Sequence, residues 1–203
     1  SYFIQKKFFI RASETEKNAP ISEDDLKWVS ETISFRSKEY SKVIFCRGYK
    51  DYLNTLIPEL KFNLVKGETL IIETENLGDQ KIINGGVFII PLGNNLYKVG
   101  SNYAWNDLSE LETEKAKAEI TQKLEQFLKI PYKIIEHKAG IRPSTVGRKP
   151  FVGLHPKNNK IGVFGGLGTR GVMTAPLLAK QFCDFILGDK TAIFDDADLR
   201  RLF

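Results

Sequence analysis

Cysteine, histidine and methionine are scarce in this 203-residue sequence, which holds two, two and one of them. Cys46, Cys183, His137 and His155 stand far apart, with no spacing that would assemble a zinc site. Both cysteines lie in apolar runs and are expected to be buried as small hydrophobes. His137, in the polar half of a strand-like run, is expected at the surface. No apolar stretch approaches the roughly 20 residues that cross a bilayer. Lys6 and Lys7 interrupt the opening SYFIQKKFFI, so it does not form a signal peptide. No membrane partner is expected, and the cytoplasm is the default compartment. A strong charge of one sign is also lacking. The net +5 comes from Lys and Arg scattered among Asp and Glu, with no basic-aromatic ladder for a nucleic-acid groove. No Ser-His-Asp, Cys-His or paired-carboxylate constellation is present, so no catalytic side chain is assigned. The lone methionine is Met173, and the sequence opens inside an apolar segment, which reads as a portion of a longer protein.

What remains is ordinary globular material, 42% hydrophobic and 27% charged, long enough to bury a core. Tyr2, Phe3, Phe8, Phe9 and Ile10 suggest the end of a helix followed by a strand, and residues 11–25 a polar surface connection. Residues 32–35 (TISF) and 42–46 (KVIFC) are short strands, the second continuous enough for burial on both faces. Gly48 after it either ends the strand or lets backbone approach a ligand. Strands are expected at residues 68–73, 87–90 and 96–101. The last two are joined by a tight hairpin through Gly93, Asn94 and Asn95, residues that tolerate positive φ. Residues 111–128 carry an amphipathic helix with a capping-box spacing between Ser109 and Glu112. Residues 132–139 form another strand. Residues 151–154 and 161–164 pair around the polar turn at 156–160, and a largely buried helix covers about 175–187.

The organising stretch is residues 161–176, IGVFGGLGTRGVMTAP. An apolar strand enters the glycines Gly165, Gly166, Gly168 and Gly171, then a helix begins. That order brings backbone N–H groups and the positive end of a helix near any ligand above. Alone it is a weak signal.

The succession GIRPST (140–145), KPFVGLHP (149–156) and IGVFGGLGTRGVMTAP resembles the C-terminal third of the glycine oxidase and D-amino-acid oxidase family of FAD-dependent oxidoreductases. The resemblance runs from about Lys42 onward. It implies an α/β fold, α+β for this stretch by itself. An antiparallel substrate-domain sheet with a packed helix joins the C-terminal part of a Rossmann-like FAD-binding domain. Residues 1–48 would be the crossover and the strand returning to the FAD domain, 49–140 the substrate domain, and 141–203 the end of the FAD domain. The implied cofactor is FAD, contacted by Gly48, Gly166, Leu167, Gly168, Thr169, Arg170, Gly171 and Val172. The implied reaction is oxidation of the C–N bond of an amino acid or related amine by hydride transfer to flavin, the cofactor supplying the hard step.

Arg142 matches the arginine of the family's G-x-R-P motif, which holds the substrate carboxylate in amino-acid-oxidising members; a planar two-pronged guanidinium suits that group. The alternative is that Arg142 pairs with a structural carboxylate or reaches solvent. Arg170 could touch substrate or flavin. Tyr97, Tyr103 and Phe88 are candidates for the pocket wall. The sequence departs from the family in two respects: the G-x-G-x-x-G and ribose-gripping acid that belong near the N-terminus do not occur there, and Leu167 stands where many members carry His. Two other functions fit less well: a non-catalytic module binding a carboxylate ligand through Arg142, and a flavin-dependent step in tRNA modification, which the absence of a basic patch disfavours. Oligomeric state is open.

Overall fold

A parallel strand pair holds the glycine turn in place. The computed structural model describes residues 26–29, 32–35, 38–75, 77–78, 80–189 and 193–203. The expected opening helix and strand, and the polar connection at 11–25, lie outside them. The short strands β1 (Lys27–Val29), β2 (Thr32–Phe35) and β3 (Lys38–Tyr40) form one antiparallel sheet. The next strand, β4 (Val43–Phe45), leaves that sheet and pairs in parallel with β11 (Asn158–Gly165), matching Val43 with Ile161 and Phe45 with Val163. The third member, β10 (Phe151–His155), is antiparallel to β11 as expected, around a two-residue turn at Pro156 and Lys157.

Strand alternation gives this sheet two covered faces. Phe45, Phe151, Ile161 and Val163 pack with Ile33, Ile57, Leu60 and Leu199 on one side. Ile44, Val152, Leu154 and Phe164 face the helix on the other, meeting Leu178 and Phe182. In sheet order β4 lies at an edge, so its apolar run is covered less than a central strand would be. Val43 and Ile44 are half-buried, and Cys46, expected inside, is exposed. Phe45 takes the inward place and alternation turns Cys46 away.

The second large sheet is antiparallel, ordered β6-β7-β8-β5-β9 from β5 (Val65–Glu73), β6 (Ile83–Asn84), β7 (Phe88–Gly93), β8 (Leu96–Gly100) and β9 (Lys133–Arg142). The hairpin between β7 and β8 has the expected turn, with Asn94 at φ 52° and Asn95 at φ 59°. Leu70, Ile72, Val87, Ile89, Tyr97 and Val99 bury one face against Ile120 and Leu124 of helix α1 (Glu114–Glu125). Tyr97, a pocket-wall candidate, therefore belongs to this core.

Helix α1 starts later than its capping-box spacing implied. Thr113 is the N-cap, its hydroxyl accepting from the Ala116 N–H at 3.2 Å. Ser109 is drawn elsewhere: buried Lys66 donates to it, to Asp107 at 2.6 Å and to the Leu111 carbonyl at 2.5 Å. Glu68, equally buried, accepts from the Thr113 N–H and hydroxyl at 2.8 and 2.9 Å. His137 Nε2 lies 2.9 Å from Glu68, its side chain 15% exposed, so His137 is part of this inward network rather than the surface.

Helix α2 (Gly171–Ile186) begins earlier than expected, with Pro176 inside it. It also buries less of itself. Leu178 and Phe182 enter the core, whereas Val172, Met173, Leu177 and Leu187 are exposed. Cys183, next round the helix from Phe182, is exposed as well, against expectation. One core-facing stripe of a helix on a three-stranded sheet leaves the remaining apolar positions outward.

Candidate functional site

The open face of the five-stranded sheet is set by the partners of Val65, Gly67, Thr69 and Ile71. Across β9 these are Arg142, Gly140, Lys138 and Glu136; across β8, Gly100 and Lys98 stand opposite Thr69 and Ile71. This face floors a cleft of about 690 Å³ lined by Gly67, Thr69, Phe88, Lys98, Ser101, Tyr103, Lys138 and Arg142, with Thr169 reaching in from the glycine turn. Phe88 and Tyr103, named from sequence as possible walls, are both there.

Arg142 closes β9, where the expected strand had stopped three residues short. Its guanidinium lies over Gly67: a Cβ on that glycine would meet the Arg142 nitrogens at 2.0 and 2.2 Å. Only a residue without a side chain admits the arginine there. The guanidinium donates to the Lys66 carbonyl at 3.2 Å, the Ser101 hydroxyl at 2.5 Å and the Asn102 carbonyl at 3.2 Å, and stacks 4.5 Å from the centre of the Tyr103 ring. Three of its five N–H groups are thereby engaged and two remain. Among the described residues its partners are neutral; no carboxylate faces it. Burial lowers its pKa from the ordinary value, partly opposed by Tyr103, yet a guanidinium stays charged. A half-buried cation held by neutral acceptors and lacking a counterion is suited to an anionic ligand.

The glycine turn lies beside it. After Arg142 the Pro143 carbonyl accepts from the Gly168 N–H at 3.2 Å, and a Cβ on Gly168 would lie 3.7 Å from Ser144 Cα. Gly166 and Gly168 take φ 67° and 56°. At Gly166 a side chain would also strike Thr145 at 2.5 Å and Phe151 at 3.0 Å, so that glycine meets both a conformational and a packing need. A 3-10 turn at Gly168–Arg170 leads directly into α2, whose N-terminus no side chain caps. Its first N–H groups thus keep capacity for an acceptor.

The other assigned residues are dispersed. Thr169 joins Arg142 in the cleft, while Arg170 is exposed and does not line it. Leu167 is half-buried against the core under α2, in contact range of Gly171, and Val172 is 95% exposed. Gly48, at φ 64°, opens a 3-10 turn, Gly48–Leu53, beyond β4. That turn buries Asp51, which sequence reading did not single out. Asp51 accepts from the Arg47 N–H at 3.0 Å and Arg47 Nε at 2.8 Å, and one carboxylate oxygen would lie 3.7 Å from a Cβ on Gly165. Gly67, Ser101, Lys98 and Lys138 were also missed. The i,i+4 spacing of Arg47 and Asp51 was the only local signal for any of them.

The glycine turn and uncapped helix start have the donors an electron-rich flavin edge would need. The family model for FAD dependent oxidoreductases, DAO, matches residues 14–185. Glycine oxidase of Bacillus licheniformis is 27% identical over 132 residues, covering 64% of this chain and 36% of that protein. The crystal structure of glycine oxidase from Bacillus cereus ATCC 14579 superposes with TM-score 0.67 at 18% identity, over 81% of this chain and 48% of that one. L-alpha-glycerophosphate oxidase from Mycoplasma pneumoniae, with FAD bound, gives 0.65 at 15% identity, over 84% and 52%. The chain thus spans about one third to one half of these three proteins, and within that span shares the mixed α/β fold of the two structures. With the family model covering most of its length, this chain belongs to the DAO family of FAD dependent oxidoreductases, whose cofactor is FAD.

Proposed function

We propose that this chain supplies the substrate cleft and the flavin-facing turn of an enzyme that oxidises the C–N bond of an amino acid or related amine. One observation carries the reading: Arg142, without a carboxylate partner among the described residues, shares a cleft with Thr169 of the glycine turn. FAD, when bound, supplies the two-electron acceptor for that oxidation. The chain's own residues bind and orient. Arg142 takes the substrate carboxylate through its remaining N–H groups; Tyr103 and Ser101 keep the guanidinium aimed. Gly166, Gly168, Thr169, Gly171 and the first N–H groups of α2 face the flavin edge, with Leu167 and Val172 flanking. Arg170 lies outside the cleft and its assignment to substrate is weaker; Gly48 contributes through the turn that seats Asp51 behind Gly165. The similarity to proteins named glycine oxidase supports an amine substrate with a carboxylate.

The same reading divides the chain into interleaved parts: 1–48 as the end of the crossover and the strand returning to the FAD-binding domain, 49–140 as the substrate domain and 141–203 as the C-terminal part of the FAD-binding domain. Its support is the parallel pairing of β4 with β11 across the whole intervening sheet. The alternative, a carboxylate-binding module without catalysis, draws on the lack of a G-x-G-x-x-G in the N-terminal part of the given sequence, where the family's nucleotide fingerprint belongs.

Calorimetry with glycine and acetate tests the Arg142 role. Replacing Arg142 by Met should weaken binding about 30-fold or more, the cost of removing one partner of a buried charged hydrogen bond. Undiminished binding would reject the assignment.

A further inference from the structure

The cleft carries more positive charge than one carboxylate requires. Besides Arg142, its lining includes Lys138 on β9 and Lys98 on β8. Both project from the same sheet face as Arg142, since Lys138 pairs with Thr69 and Lys98 with Ile71, in step with Arg142 and Val65. Arg142 is four positions beyond Lys138, about 13 Å between Cα atoms along an extended strand, and long side chains on both shorten the gap. Lys98 stands one strand beyond β5, diagonal to Lys138.

The counter-charges on this face are Glu136 of β9 and Glu73 at the end of β5, and neither lines the cleft. Glu136, opposite Ile71, lies 3.0 Å from Lys138 Nζ and does not line the cleft. Lys98 has no ion pair among the described residues, and Arg142 has none either. Two cations therefore face the cleft without a carboxylate, one beside the glycine turn and one at the far end. Isolated surface lysines are ordinarily just hydrated. Here Lys98 is half-buried, on a face shared with Phe88 and Gly100, and it pairs with Ile71, six positions along β5 from the Val65 that pairs with Arg142.

We propose that the cleft selects a dicarboxylic substrate. Its α-carboxylate sits at Arg142, its amine-bearing carbon next to the glycine turn, and its second carboxylate at Lys98, with Lys138 in support. Lys98 is then a specificity-determining residue. This inference rests on the Arg142 reading above.

Competitive binding of two unreactive probes, butyrate and glutarate, separates the two. In the unmodified protein glutarate should bind about fivefold or more tightly than butyrate, the scale of a partly exposed ion pair. Lys98→Met should bring that ratio close to one, and Lys98→Arg should restore it; raised salt should erode it, because the far end is open to screening. A ratio near one in the unmodified protein, or one that Lys98→Met leaves standing, overturns the dicarboxylate proposal while Arg142 keeps its role. Binding of both probes that survives Arg142→Met overturns the Arg142 reading and this proposal together.

Discussion

Arg142 owes its position to a residue with no side chain. With Gly67 beneath it the guanidinium reaches Ser101, Asn102 and the ring of Tyr103. Gly67→Ala would put a methyl group where the guanidinium lies, and the flexible arginine would yield rather than the strand. Because Gly67 has no positive φ, the fold should tolerate the change with little loss of melting temperature. Carboxylate affinity should drop about tenfold, worth roughly 1.4 kcal/mol. Gly166→Ala provides the contrast, since strain at φ 67° and contact with Thr145 and Phe151 should cost about 1–3 kcal/mol of stability. Thermal denaturation together with calorimetry distinguishes the two. Equal losses of stability would mean that Gly67 serves folding rather than the arginine. At this scale Asn94 and Asn95 were legible because their turn chemistry is local. The surroundings of Arg142 were not, since the Lys66 carbonyl it contacts is 76 residues away in sequence and only strand register joins them.

Helix α1 and strand β5 are tied by charges in a region otherwise built from hydrophobes. Burial by itself would lower the pKa of Lys66; the hydrogen bond to Asp107 and the charge of Glu68 outweigh it and raise it. The bond from Lys66, with help from Ser109, depresses Asp107 from its ordinary value to about 2. A folded-state pKa below the unfolded one means that Asp107 stabilises the fold above its unfolded pKa. That contribution is lost as pH falls toward about 2. Melting temperatures measured from pH 5 down to pH 2 should fall, and Asp107→Asn should flatten the drop in the acid part of the range. An identical acid profile in the variant would contradict the coupling. The same network explains why the start of α1 was misread. A capping-box spacing at Ser109 is a sound local signal, but Lys66 claims Ser109 and the Leu111 carbonyl, and Glu68 holds the Thr113 N–H, so the helix waits until Thr113. Lys66 and Glu68 alternate with Gly67 and Thr69 in a strand whose two faces no sequence pattern distinguished. For α2 the strand-turn-helix order was clear, whereas how much of the helix is covered depends on what packs over it. Val172, Met173 and Leu177 remain outward in this chain.

For the molecule as a whole, the order of elements was legible because glycine turns, hairpins and apolar runs are local. The convergence of the β9 end with the glycine turn was expected only through resemblance to a family. The chain covers 36% of one glycine oxidase and 48% of another's structure, and its one G-x-G-x-x-G, residues 166–171, is the glycine turn near its end rather than an N-terminal nucleotide fingerprint. On the proposed function, its own share of the site is the carboxylate end and the flavin-facing turn. The most direct measurement is an anaerobic absorbance titration of the protein, at the length its gene encodes and supplied with FAD, using carboxylate-bearing amines such as glycine and glutamate. The account predicts flavin absorption bands that bleach on addition of the right amine, with the half-bleaching concentration raised at least about 30-fold by Arg142→Met. A protein that stays colourless with FAD, or whose bleaching is indifferent to Arg142, would contradict it.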